Sequence, residues 1–308
     1  MQQMIGRSAP NAAKLRSAGR HWGIPARTAG YHEKGAAAAS LPNRLYAAPV
    51  SGVPLQADTP LSRGRIRGEI LLVLGLSLGA SAVLAIIQLV DLSTRSTSLS
   101  HQSAALNTPQ SDRQYLDLTY QLFDILVPLV PVVLVCYILW QSSRPHLARL
   151  GFDFRRPLLD TGVGVALAIV VGGGGIGVYL LGRALGITVN VSADSLNAYW
   201  WTVPVLLLSA LRAALQEEFI VIGYLYYRLR QLGWGKWTII LTTAVFRGSY
   251  HLYQGYGSFV GNFILGVIFG WLYTRFGRLL TLVIAHFVID AATFVGYSWA
   301  AATFPHLF

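Results

Sequence analysis

The sequence predicts an all-α, polytopic transmembrane helix bundle. Of its 308 residues, 54% are hydrophobic and only 12% are charged. The apolar residues are gathered in runs of about 20, which is the length that a helix needs to cross a bilayer. Short basic segments separate these runs, as in membrane proteins with several spans. Lipid is therefore the expected solvent, and the expected location is the cell membrane with a multi-pass topology.

Seven apolar runs predict seven spans. Four basic connections, with the sequences RGRIR, RPHLARLGFDFRR, RLRQLGWGK and RFGR, fall on one side of the membrane if the spans alternate. Because basic connections stay in the cytoplasm, this pattern predicts a cytoplasmic N-terminus. The runs are Ile70–Val90, Gln121–Trp140, Thr161–Gly182, Tyr199–Tyr226, Trp237–Tyr253, Ser258–Tyr273 and Leu280–Trp299.

The chain divides by composition into four parts. Residues 1–62 are rich in Ala, Gly, Pro, Ser and Arg and predict a disordered basic tail, although an acid-poor transit peptide has a similar composition. Residues 63–198 hold the first three spans, 199–300 hold the last four, and 301–308 form a C-terminal tail. The formal charge of +11 lies in the tail and the short connections, which excludes a nucleic-acid partner.

Ionisable side chains inside the last four runs predict a functional site. Such residues are rare in lipid-spanning segments and usually face the interior of a bundle or an aqueous cavity. For a single histidine, an interhelical hydrogen bond is an equally good interpretation, but the whole set favours function. The residues are Arg212, Glu217, Glu218, Arg247, His251, His286 and Asp290.

The spacing of these residues predicts that they meet near the middle of the membrane. Counted from the basic connections at about 1.5 Å per residue, Glu217, His286 and His251 lie roughly 16, 12 and 22 Å deep. Asp290 follows His286 by four residues, and His251 follows Arg247 by four, so each pair shares one helical face. Two histidines and a carboxylate can bind zinc or can hold and deprotonate a water, as amide hydrolysis requires.

Three segments resemble the motifs of the CPBP family of intramembrane proteases, which includes the type II CAAX prenyl endopeptidases. The segments are EEFIVIGYLYYRLR from Glu217, RGSYH from Arg247 and HFVID from His286. The family motifs are EExxxR, FxxxH and HxxxN, with Asp as a variant of the last residue. The resemblance covers residues 200–295 and leaves out the tail and the first helix.

The resemblance implies a role for each motif residue. Glu217 would be the general base that activates a water, and Glu218 would support it. His251 and His286 would hold the water or a metal, and Asp290 would assist at the oxyanion or orient a ligand. A zinc ion bound by Glu217, His251 and His286 and a metal-free glutamate mechanism both stay open.

The sequence departs from the family pattern at two positions. Ile222 stands where the family has the Arg of its first motif, and Arg247 stands where it has the Phe of its second. An arginine at 222 would form an i,i+4 ion pair with Glu218. We expect Arg247 to take its place by pairing with Glu218 across two helices; the alternative is that Arg247 snorkels or bonds backbone carbonyls.

The sequence therefore predicts an intramembrane endopeptidase that acts on a peptide or protein substrate, as CAAX proteases and bacteriocin-processing enzymes do. Two alternatives stay open. A family member without catalysis would be a membrane scaffold or an immunity protein. A proton-coupled transporter would also carry intramembrane Asp, Glu and His residues, but the sequence lacks the internal repeat typical of transporters. The sequence gives no indication of oligomeric state.

Overall fold

The computed structural model describes residues 61–140 and 147–304, and most of these are helical. The tail predicted over residues 1–62 lies outside the described residues except for Leu61 and Ser62. The helices are α1 (Arg63–Gly75), α2 (Leu78–Thr94), α3 (Gln114–Leu126), α4 (Val130–Ile138), α5 (Pro157–Ala184), α6 (Thr202–Glu217), α7 (Leu225–Gln231), α8 (Lys236–Ser249), α9 (Tyr256–Phe276) and α10 (Leu279–Thr303). A π-helical segment, Glu218–Tyr224, joins α6 to α7.

The first apolar run is bent between α1 and α2. The two helices meet at 57° across a break of two residues. The Ser77 hydroxyl donates a hydrogen bond of 2.6 Å to the carbonyl of Val73 and so satisfies an acceptor at the end of α1. Gly79 fits the inside of the bend, because a Cβ atom there would lie 2.6 Å from the carbonyl oxygen of Leu74. The first predicted run therefore consists of two helices joined by a bend.

Four described helical segments are long and apolar enough to cross a membrane, and the bent α1–α2 pair raises the number to five. The continuous helix α6–α7 carries Arg212, Glu217 and Glu218 in its middle, and α8 is only 14 residues long. The predicted all-α class is confirmed. The count of seven spans and the cytoplasmic N-terminus remain predictions. The four segments are Gln114–Ile138, Pro157–Ala184, Tyr256–Phe276 and Leu279–Thr303.

Two helix ends differ from the predicted runs. Helix α8 ends at Ser249, so His251 lies in the turn beyond it and not on the helical face that it was predicted to share with Arg247. Helix α10 continues to Thr303, past the start of the predicted C-terminal tail at residue 301. Hydropathy locates an apolar run but not the hydrogen bond at which its helix ends, so such ends shift by a few residues.

The basic connections come together at one end of the bundle, which we call the basic face. Arg278, between α9 and α10, bonds Asp153 at 2.8 Å and also bonds Asp160 at the start of α5. The hydrogen bond from Arg278 lowers the pKa of Asp153. Arg228 of α7 donates a hydrogen bond of 2.6 Å to Glu69 of α1. At the basic face, these ion pairs join α1 to α7 and join α5 to the start of α10.

The other end of the bundle, which we call the strand face, carries the two short strands. Ser103–Ala105 and Asn190–Ser192 pair in parallel, with Ser103 opposite Asn190. Thr188 forms a β-bridge with Gly255, at the start of α9. The connection α2–α3 is therefore joined to the connection α5–α6 and, through it, to the α8–α9 turn.

Helices α8 and α9 pack closely because α9 presents glycine to its neighbour. A Cβ atom on Gly266 would lie 2.9 Å from the Cα of Ala244 in α8. A Cβ atom on Gly270 would lie 2.0 Å from the hydroxyl oxygen of Tyr226 in α7. Small residues at a helix crossing let backbones approach and gain van der Waals contact. This crossing places α8 against α9 at the level of Arg247.

We predict that Gly266→Ala destabilises the protein by about 1–3 kcal/mol, because the new methyl group forces α8 and α9 apart. Gly296→Ala in α10 is the matched control, because a Cβ atom there meets nothing within 4 Å. Both changes add the same helix propensity. Thermal unfolding in detergent measures the difference, and equal midpoints for the two variants would contradict the close crossing.

Candidate functional site

A π-helical segment lies directly after the first candidate catalytic residue. Glu217 is the last residue of α6, and Glu218 is the first of the π-helical segment Glu218–Tyr224. All seven residues of the segment are buried, and the other six are uncharged. A π-helix bonds each residue to the fifth one on, and such segments are frequent at functional sites. It changes the direction in which side chains leave the helix just where two adjacent carboxylates must be accommodated.

Glu218 is fully buried and is held by two side chains from other helices. Its Oε1 accepts a hydrogen bond of 2.7 Å from Nη1 of Arg247, and it lies 2.9 Å from Nδ1 of His286. The predicted ion pair between Arg247 and Glu218 is therefore present. It spans α8 and the π-helical segment, and a buried carboxylate without such partners would be strongly unfavourable.

The two carboxylate oxygens of Glu217 have different surroundings: Oε2 is hydrogen-bonded, and Oε1 is directed towards His251. Its Oε2 accepts a hydrogen bond of 2.8 Å from the hydroxyl of Tyr250 and lies 3.2 Å from Nη2 of Arg247. Its Oε1 lies 3.9 Å from Nε2 of His251. This last distance is too long for a direct hydrogen bond but suits a bridging water. Neither ring nitrogen of His251 has a hydrogen-bond partner among the described residues.

Arg247 bridges the two glutamates. Its side chain is fully buried, with one terminal nitrogen on each carboxylate, and its guanidinium lies over the ring of Phe269 at 5.4 Å from the ring centre. A planar guanidinium offers donors in a fixed fork and can serve two acceptors at once, which an ammonium does less well. One cation thus compensates a pair of adjacent carboxylates.

His286 links this network to the last candidate residue. Its Nδ1 faces Glu218, and its Nε2 lies 3.4 Å from Oδ2 of Asp290, one turn further along α10. Nδ1 also lies 3.2 Å from Nη2 of Arg247. It donates to the carboxylate of Glu218 when it carries the proton, and it accepts from Arg247 when it does not. Asp290 then orients the ring from its other side.

Six of the seven ionisable residues that the sequence predicted for the site are connected in one network, but their predicted roles are not tested by this geometry. Arg247 lies at the centre of the network and contacts both glutamates. His251 lies beside Glu217, and His286, followed by Asp290, lies beside Glu218. Arg212 stays outside: its Nη1 lies 3.4 Å from Oε1 of Gln216, and it pairs with neither glutamate.

The zinc site that the sequence left open is not tested by this arrangement and stays a prediction. Among the described residues, no group of three or more His, Cys, Asp or Glu side chains is placed to hold a metal ion. His251 faces Glu217, whereas His286 faces Glu218 and Asp290.

Tyr250 is the contributor that sequence analysis missed. It is buried, its hydroxyl bonds Glu217, and its ring lies 4.9 Å from that of His251. The family motif does not specify this position, and a tyrosine in an apolar run looks like a packing residue. Its place directly before a motif histidine is the one signal in the sequence that could have identified it.

Comparison with known families agrees with the motifs. Residues 199–292 match a family model described as type II CAAX prenyl endopeptidase Rce1-like. The resemblance to the CPBP family is confirmed over this segment, which spans less than half of the chain. It is a protease family, which supports a hydrolase in the membrane. No curated protein and no solved structure gave a significant match.

We predict that Arg247→Met destabilises the protein by about 3–5 kcal/mol, because two buried carboxylates lose their cation. Arg212→Met is the matched control, since that arginine also lies in the membrane region but pairs with neither glutamate. Unfolding in detergent measures both.

Adding Ile222→Arg to an Arg247→Phe variant tests the exchange of positions: we expect partial recovery of stability, and no recovery would show that Arg247 is not a relocated family arginine.

Proposed function

We propose that the protein is an intramembrane endopeptidase in which Glu217 activates a water to hydrolyse a peptide bond. The observation that carries the proposal is that the two oxygens of the Glu217 carboxylate have different partners. Tyr250 and Arg247 hold Oε2, so Oε1 is directed towards His251 across a gap that suits one water. A positioned carboxylate, and a histidine whose ring nitrogens have no hydrogen-bond partner among the described residues, are components that general-base hydrolysis requires.

The reaction follows from these positions. Glu217 takes a proton from the water as the water oxygen attacks the carbonyl carbon of the peptide, and His251 holds the same water from its other side. The tetrahedral intermediate collapses when the bond to nitrogen breaks, and Glu217 returns the proton to the leaving amine. One water is consumed, and one carboxyl and one amine are released.

Glu218, His286 and Asp290 support this pair without contacting the water. Glu218 fixes Arg247 and His286, and Asp290 orients the His286 ring. The pair between Arg247 and Glu218 also weakens the case for an inactive family member, because the charge that Ile222 fails to compensate is compensated from α8. The inactive scaffold and the proton-coupled transporter are the outcomes to expect if no peptide is cleaved.

The test is cleavage of a peptide library by the purified protein, with and without a metal chelator. We expect cleavage to survive the chelator, because no step of the proposed reaction uses a metal. Loss of cleavage on chelation, with recovery on adding zinc, would instead support the zinc site predicted from the sequence. Absence of cleavage by the folded protein would contradict the proposed function.

We predict that Glu217→Gln lowers cleavage by about 10²–10⁴-fold at unchanged abundance, because Gln keeps the shape of the side chain but cannot accept the proton. Glu218→Gln is the comparison: it disturbs the buried ion pair, so we expect it to lower stability as well as activity. Full activity of Glu217→Gln would remove Glu217 as the base.

We predict that Tyr250→Phe lowers kcat by about tenfold or more and leaves KM unchanged, because a hydrogen bond to a charged group contributes about 1.5–3 kcal/mol. The matched control is Tyr253→Phe, whose hydroxyl bonds Gln254 and neither glutamate. Steady-state kinetics separates the two constants. If both variants lose kcat equally, Tyr250 does not position Glu217.

A further inference from the structure

The site is closed on one side and open on the other. The side chains of Glu218 and His286, nearer the basic face, are 0% and 6% exposed. The side chains of His251 and Asp290, nearer the strand face, are 20% and 21% exposed. Exposure of the candidate residues therefore rises in one direction along the bundle.

Apolar side chains seal the site from the basic face. The π-helical segment from Phe219 to Tyr224 is entirely buried, and the buried residues of α10 all lie between Leu279 and His286. These two segments contact one another, as Gly223 faces the side chains of Leu279 and Leu150. A dry, close-packed layer of this kind offers no route for water or for a peptide backbone.

Polar side chains line a cavity on the other side. It has a volume of about 180 Å³ and lies between α3 and α6, beside the connection that carries β1. The share of one water in the liquid is about 30 Å³, so the cavity has room for several waters or for a short stretch of peptide. Its polar lining residues include Asn107, Gln110, Gln121, Asp124, Ser209 and Arg212.

Arg212 is the residue of the cavity lining that lies nearest to Glu217 along α6. It lines the cavity, its Nη1 lies 3.4 Å from Gln216, and Gln216 directly precedes Glu217. Its buried Nε has no hydrogen-bond partner among the described residues. At about 1.5 Å per residue, Arg212 lies roughly 7.5 Å from Glu217 along the helix, the span of about two extended peptide residues. An unpartnered N–H group at this point suits a peptide carbonyl.

We propose that water and the peptide substrate reach Glu217 from the strand face, through the polar cavity between α3 and α6. The substrate is then a segment that is presented at the strand face in extended form, with its main-chain carbonyls bonded by Arg212. The entry of a peptide substrate by this route rests on the proposed endopeptidase function. The route itself can be tested without any cleavage.

The test is thiol labelling of single-cysteine variants in proteoliposomes with a charged, membrane-impermeant reagent. Cys136 is the only cysteine of the sequence, so a Cys136→Ala background carries each new thiol alone. Ser209→Cys lies in the cavity, and Val283→Cys lies in the apolar seal; both native residues are 4% exposed. We expect Ser209→Cys to react roughly tenfold faster or more, because a thiolate forms only where water reaches it.

Two exposed positions report the side of the membrane. Ser96→Cys marks the strand face, and Arg230→Cys marks the basic face. We expect Ser209→Cys to be labelled only from the side that labels Ser96→Cys, and a peptide that the purified protein cleaves to slow this labelling. Equal labelling of Ser209→Cys and Val283→Cys, or labelling of Ser209→Cys from the side of Arg230→Cys, would overturn the route. Gln121→Cys replaces Ser209→Cys if the latter fails to fold.

The outcomes separate the two proposals. Labelling confined to the strand face without cleavage of any peptide would leave the access route standing and reject the endopeptidase. Cleavage with labelling from the basic face would do the reverse.

Discussion

One guanidinium compensates two adjacent carboxylates in an apolar interior, and much of the packing follows from that constraint. Arg247 can reach both Glu217 and Glu218 only if α8 lies close to the end of α6. The glycine at 266 in α9 lets α9 approach α8 closely and leaves room for the Arg247 stem. Phe269 covers the guanidinium on a further side. A charge that is expensive to bury thus fixes how three helices meet.

Six residues of the candidate site could be named from the sequence, but Tyr250 and the geometry of the backbone could not. Isolated charges such as Glu218 and His286 in apolar runs are conspicuous, and a missing partner at Ile222 pointed to a substitute at Arg247. The π-helical segment has no sequence signature, because its hydrogen bonds depend on what packs against it. The end of α8 before His251 is likewise decided by tertiary contacts.

The fold shows the same division between pattern and geometry. The seven apolar runs all fall on helical segments. This could be predicted because the length and hydropathy of a run can be read directly from consecutive residues. The bend at Ser77 was not apparent, because a hydroxyl bonded to the preceding turn looks in sequence like any polar residue of a helix. Hydropathy also does not show which neighbouring helices supply partners for buried charges, such as the three charged residues in the middle of α6–α7.

The ion pair between Arg228 and Glu69 sets a limit on how the chain can be divided. Glu69 belongs to α1, outside the segment that matches the family, yet its carboxylate accepts hydrogen bonds from both Arg228 and Tyr224. A fragment cut to residues 199–292 would carry a nearly buried guanidinium and a buried phenol deprived of their common acceptor. The helices that match the family are therefore completed at the basic face by α1, a helix that the family motifs do not include.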